Sequence, residues 1–157
     1  MTNKEKLGAL GEELVAKLLN GNLSENKYDT VKDMIALGKN IEVKTQNRHP
    51  NGTFTINAQH TTNVEKCMKV DRLIFVEYDC TDDIKIFECT DREDYKVITT
   101  KATKFEPMGR IMIGWPIHKM NMLFKINNST LANQMRQLSG SRLFNANSKY
   151  QPSQFIA

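Results

Sequence analysis

The sequence predicts an α/β fold in one domain, a mixed central sheet flanked by helices. Three observations predict it. Leucines recur at helical spacing over residues 5–20. Short stretches of alternating or unbroken apolar residues follow, bounded by glycine and asparagine. Segments at 61–69 and from residue 91 return to helix-like patterning. A chain of 157 residues suits one domain with one core. Its 39% hydrophobic and 25% charged content is ordinary for a soluble globular protein.

Residues 5–20 read as an amphipathic helix. Leu7, Leu10, Leu14 and Leu18 form the stripe, Val15 and Leu19 widen it, and Gly21 supplies the stop. Gly8 and Gly11 each weaken that helix by ~1 kcal/mol relative to alanine, which points to a close backbone approach or to early fraying. Residues 28–31 are expected as a first strand, then 33–37 and 40–46 as a pair joined by a tight turn at Gly38. Asn51-Gly52 is a hairpin signal between residues 44–49 and the alternating 53–57. Residues 61–69 suggest a short helix capped by Thr61 or Thr62, with Glu65 in its first turn. Residues 72–78 form an apolar strand of the buried kind and 84–88 an alternating one. Asp91, Glu93 and Asp94 would open another helix, their charges suiting its positive end. Beyond residue 100 the pattern offers a strand at 111–115 closed by Pro116, and a helix at 129–138 stopped by Gly140. The last fifteen residues are expected to be loosely structured.

The net charge of +4 is unevenly spread. Residues 1–100 hold 14 Lys and Arg against 17 Asp and Glu, whereas residues 101–157 hold eight against Glu106 alone. The chain is therefore read as a core over 1–100 with a basic C-terminal extension over 101–157, part of the same domain and suited to a polyanionic partner. A solvated basic face is the plainer alternative. Several function classes fall away. No apolar run approaches the ~20 residues needed to cross a bilayer, and no apolar segment follows the first residues, so neither a membrane nor a secretory signal is expected. Cys67, Cys80 and Cys89 are odd in number and lack CxxC spacing, which argues for a reducing, cytoplasmic setting and against a zinc site or disulfides. His49, His60 and His118 form no HExxH or HxH pair.

The chemistry concentrates between Asp33 and Lys44. Side chains alternate along a strand, so Glu42 and Lys44 project from one face while Ile41 and Val43 point into a core. If the turn is the two-residue Leu37-Gly38, Asp33 lies directly opposite Glu42 on that face. Two carboxylates and an ammonium then converge within reach of one divalent cation, a layout for phosphodiester chemistry. Each residue also has a bland reading: a strand start for Asp33, a weak exposed ion pair for Glu42 and Lys44, a first-turn charge for Glu12.

Taken together, Gly8-x-x-Gly11-Glu12 on the first helix, Asp33 opening one strand, Glu42-Val43-Lys44 on the next, and Thr45-Gln46 after the lysine resemble the PD-(D/E)XK nuclease superfamily. That superfamily includes restriction endonucleases and archaeal-type Holliday junction resolvases. The resemblance spans residues 5 to 90 and departs at Lys32, where the name implies proline. It implies a restriction endonuclease-like fold and a nuclease using magnesium, with manganese expected to substitute. Asp33 and Glu42 are the expected ligands, joined by the backbone carbonyl of Val43. Lys44 would either orient the attacking water and stabilise its hydroxide form, or act as base through a depressed pKa. Glu12 would hold a metal-bound water or a second cation, with Glu13 the competing assignment.

Gln46 continues the Glu42–Lys44 face and would bond a phosphate or the edge of the site. Asn47, Arg48 and His49, at a polar hairpin tip, are groove-contact candidates, or parts of an ordinary exposed turn. Arg110, Lys119, Arg136 and Arg142 are the remaining DNA-binding candidates. Trp115, among isoleucine and methionine, reads as core rather than contact. The function expected first is that of a sequence-specific DNA endonuclease of restriction or homing type, acting as a homodimer or higher homo-oligomer. The alternatives are a structure-specific, junction-resolving nuclease, action on RNA, a nucleic-acid-binding protein without turnover, and an interaction protein with a basic tail.

Overall fold

Thr2 sets the start of the first helix. Its hydroxyl accepts the Glu5 N–H at 3.1 Å while the Glu5 carboxylate accepts the Thr2 N–H at 3.0 Å, a reciprocal cap. The helix, α1 (Asn3–Leu19), therefore begins ahead of its leucine stripe. It ends where Asn20 takes a left-handed φ of 53° and the Gly21 N–H closes on the Ala16 carbonyl at 2.8 Å. The computed structural model describes residues 1–26, 31–104 and 107–139. Most of the strand expected at 28–31 lies outside these residues, as do Gly140, Arg142 and the last fifteen residues.

In chain order the next elements are β1 (Asn22–Leu23), β2 (Met34–Ala36), β3 (Lys39–Asn47), β4 (Thr53–Asn57), α2 (Thr61–Lys69), β5 (Arg72–Tyr78) and β6 (Asp83–Cys89). They are followed by β7 (Lys96–Thr99), β8 (Ile111–Pro116), a 3₁₀ turn (Ile117–Lys119), β9 (Asn121–Asn127) and α3 (Ser129–Leu138). Two sheets result, one ordered β1-β2-β3-β5-β6-β9 and a smaller one ordered β4-β8-β7. The fold is mixed α/β.

Leu37 and Gly38 both have positive φ, 52° and 74°, as a two-residue turn of type I′ requires. That turn sets the register Met34↔Ile41, Ile35↔Asn40, Ala36↔Lys39. β3 and β5 run parallel, and β4 with α2 supplies the crossover such a pair needs. Both central strands are buried on both faces. On one side α1 and α3 cover Met34, Ile41, Val43, Ile74 and Val76. On the other, α2 and the small sheet cover Leu73, Phe75 and Phe87, with Phe54 stacked on Phe75 at 4.3 Å. Trp115 is fully buried here and donates its indole N–H to the Arg92 carbonyl at 2.9 Å, so it belongs to the core.

Several expectations change. A turn does form before Gly52, whose N–H reaches the His49 carbonyl at 3.0 Å, but β3 and β4 are not a hairpin. β4 pairs with β8 instead. The reason is Gln46, whose side-chain amide donates to the Thr53 carbonyl and accepts the Thr55 N–H, both at 2.9 Å. A side chain thus satisfies backbone groups that a neighbouring strand would have satisfied, and Phe54 and Ile56 turn into the second core. No helix opens at Asp91. Arg92 is drawn to the carbonyls ending α2, those of Met68, Val70 and Asp71, and the β-branched run 97–99 pairs with β8.

The short helix α2 is entered from His60 without a side-chain cap, so Thr61 and Thr62 lie inside it and Glu65 lies past its first turn. α3 is capped by Asn128, which accepts the Leu131 N–H at 3.0 Å. β9 was not expected from the sequence; it pairs with β6 and closes the large sheet. Residues 111–138 therefore contribute strands to both sheets and side chains to both cores. No helix among the described residues is long and apolar enough to cross a membrane.

Candidate active site

Asp33 stands one step before β2, where its N–H still bonds the Ile41 carbonyl at 2.8 Å and so extends the hairpin by one rung. Beyond that rung the two arms separate. The Asp33 carboxylate takes over, accepting the Val43 N–H at 2.8 Å. It also hydrogen-bonds the carboxyl group of Glu42, which is 1% exposed. Lys44, two residues on and on the same face, places its ammonium 3.3 Å from Glu42 Oε2 and donates to Asn63 Oδ1 at 2.7 Å. The structure thus brings together Asp33, Glu42 and Lys44, with Val43 between the last two.

Glu12 reaches this cluster from α1. A Cβ on Gly11 would lie 1.8 Å from Thr45 Oγ1, so only glycine lets the helix approach β3 this closely. Glu12, the next residue, hydrogen-bonds Asp33, whereas Glu13 is exposed. Gly8 has open space around it and no such role.

One further residue completes the cluster. Lys66, on α2, sets its ammonium 2.8 Å from Asp33 Oδ1 and 3.2 Å from Glu42 Oε1. Sequence reading passes over Lys66 and Asn63. They share one side of α2 at a spacing of three, but nothing in the pattern says that this side faces an acid pair. Electrostatics follow from the crowding. Burial, then the hydrogen bond with Asp33, pushes the Glu42 pKa up to about 8. Burial and the neighbouring Asp33 charge push Glu12 up to about 7. Burial alone would raise Asp33, but hydrogen bonds from Glu42, Lys66 and the Val43 N–H outweigh it and hold Asp33 below the usual carboxylate range. The acid pair is therefore arranged to share one proton, with Asp33 carrying the charge.

The donor set fits a hard divalent cation. Magnesium takes carboxylate oxygens, one or two of them, with water and phosphate completing the shell. Asp33 and Glu42 are such a pair, and Glu42 Oε1 is buried with no hydrogen-bond partner despite the nearby ammonium. Among the described residues no three Asp, Glu, His or Cys side chains are grouped around one point. Glu12 stands beside Asp33 as a third carboxylate, within the reach of the same lysines.

Lys44 also lines a cleft of about 640 Å³. Gln46, Thr55, Asn57 and Gln59 line it together with Phe54 and Ile56, and Arg110 and Lys4 contribute charge. The expected DNA contacts divide around this cleft. Arg110 is on its wall, and Gln46 is on it with its amide already committed to β4. Asn47 ends β3 with a buried, unpartnered Oδ1. Arg48 lies 3.9 Å from Asp79, and His49 is exposed in the turn, its Nδ1 accepting the Asn51 N–H at 3.3 Å. Lys119 is past the far end of β8, paired with Asp94 at 2.7 Å. Arg136 clamps the loop between β5 and β6 to α3, donating to the Asp79 and Thr81 carbonyls. α3 itself packs on the α1 side of the large sheet, away from Lys44. Among the described residues, Arg110, Lys119 and Arg136 thus lie at three different places. No protein-family model matches the chain, and no curated protein matches it.

Proposed function

We propose that this chain is a magnesium-dependent endonuclease that hydrolyses DNA phosphodiester bonds at Asp33, Glu42 and Lys44. The reading includes a restriction endonuclease-like arrangement and a PD-(D/E)XK type of site, as the sequence resemblance implies. One observation carries it: an acid pair drawn from two arms of a hairpin, with a lysine two residues along the same strand that lines an open cleft beside the pair.

Magnesium held by Asp33, Glu42 and the Val43 carbonyl would neutralise phosphate charge and lower the pKa of bound water. The chain's own groups do the rest. Asn63 and Glu42 hold the Lys44 ammonium in place, where it orients the attacking water and stabilises negative charge on the phosphate. Glu12, beside Asp33, accepts a hydrogen bond from a water at the margin of the site. Arg110 and Lys4 flank the cleft and suit phosphates, whereas Asn57 and Gln59 present amides of the kind that read base edges. Those two amides favour sequence-specific cutting. One site per chain favours a homodimer for cutting both strands.

Purified protein is expected to cleave plasmid DNA when magnesium is supplied. Lys44→Ala and Asp33→Asn are each expected to lose about a hundredfold or more in rate, with unchanged circular dichroism. Equal cleavage by wild type and Lys44→Ala rejects the site. Products with a common mapped end indicate sequence specificity, and preference for branched substrates indicates a junction nuclease. Tight, salt-sensitive binding without magnesium-dependent products would mark a binding protein without turnover.

A further inference from the structure

We infer that Lys66 is an internal stand-in for the divalent cation, its ammonium filling the position between Asp33 and Glu42 and leaving it when the ion binds. Lys66 would thereby set how tightly the site takes its metal. The inference rests on the proposal that Asp33 and Glu42 are cation ligands.

Three observations support it. First, the ammonium bridges one oxygen of each acid, at 2.8 Å from Asp33 and 3.2 Å from Glu42, as a shared metal ion would. Among the described residues both of its polar contacts are these acids, whereas Lys44 is anchored to Asn63 as well. Second, the substitution is incomplete. Glu42 Oε1 stays buried without a directed hydrogen bond, so the ammonium neutralises this oxygen but does not satisfy it. A metal ion, having no directional N–H, can bind both oxygens at once. Third, the lysine has somewhere to go. On its outer side it lines a pocket of about 330 Å³ with Asn40, Thr62, Glu65 and Lys69. A four-carbon stem can rotate the ammonium into that pocket and toward water without moving α2. A divalent ion and an ammonium cannot both occupy the gap between the acids, because like charges at contact distance repel. Metal binding and the inward position of Lys66 are therefore mutually exclusive.

The test titrates the full chain with manganese and reads the free ion by electron paramagnetic resonance, without DNA. Lys66→Met is expected to bind manganese about tenfold or more tightly than wild type, because the competing charge is gone. Lys66→Arg keeps the charge and is expected to stay near wild type. A second readout uses the wild-type protein alone. Reductive methylation of lysines, mapped by mass spectrometry, should modify Lys66 slowly in chelator and several times faster with manganese. Binding by wild type that is unchanged or weakened in Lys66→Met overturns the stand-in and leaves the cation site standing. Lys66 methylation that is indifferent to manganese does the same even if Lys66→Met fails to fold. Absence of manganese binding in wild type and variant alike overturns both the stand-in and the cation site.

Discussion

Glu42 and Glu12 each hold a proton more tightly in the folded chain than the ordinary carboxyl value of 4.5 allows, and burial is the first cause for both. Groups of this kind stabilise the fold fully below that ordinary value and lose their contribution as pH rises through 7 and 8. Asp33, held low, acts in the opposite sense, contributing above its ordinary value of 3.8 and losing that contribution as acid protonates it. In chelator, the thermal midpoint is therefore expected to fall from about pH 5 to about pH 8 and to level off above that. Glu42→Gln, which keeps a neutral hydrogen-bonding group, should flatten much of that slope. A midpoint that rises over the same interval contradicts the shared proton. Added magnesium should oppose the alkaline loss, since an ion replaces the departing proton.

The meeting of α1 with β3 is the contact between elements on which the site depends. Thr45 Oγ1 is buried without a hydrogen-bond partner, directly under the missing side chain of Gly11. Gly11→Ala inserts a methyl group where rotating Thr45 offers little relief, because Thr45 Cβ is itself only 3.1 Å away. The variant is expected to lose about 1–3 kcal/mol of stability in urea unfolding. It should lose cleavage as well, since Glu12 moves with the helix. Wild-type stability would show that the approach is looser than described. The helix and its glycines are plain in the sequence, and a close approach at Gly8 or Gly11 was one of two readings open there. Which glycine it involved was not, because open space at Gly8 and contact at Gly11 depend on where β3 passes. The β4 strand teaches the same lesson from the other side. Its alternation is evident, yet its partner β8 lies more than fifty residues further on and is chosen by Gln46 bonding and by Phe54 stacking.

At the scale of the molecule, the large sheet is covered on both faces, and this decides which groups meet solvent. Cys67 and Cys89 are buried in the second core, and burial pushes their thiols up to about 12 and about 11. Cys80 is exposed. A thiol reagent should therefore label Cys80 alone in the native protein and all three cysteines in denaturant, counted by mass spectrometry. Rapid native labelling of Cys67 would mean that α2 opens, and with it the wall of the site that carries Lys66. The same layering separates the basic residues. Arg136 faces the helix side of the sheet, Lys119 the far end of β8, and Arg110 the cleft, so these three described residues do not share one surface.

Much of this protein follows from local rules that act within a few residues. Leucine spacing makes α1, paired positive-φ positions make the Leu37-Gly38 turn, and that turn alone places Asp33 opposite Glu42 and two residues from the level of Lys44. The acid pair and its lysine were therefore legible in the chain. Lys66, Asn63 and the cleft were not, nor were β9 and the route of β4. Those depend on which faces pack against which, and packing is settled by burying apolar area among segments tens of residues apart. Charge pattern and residue spacing carry no information about that choice until the two cores have formed.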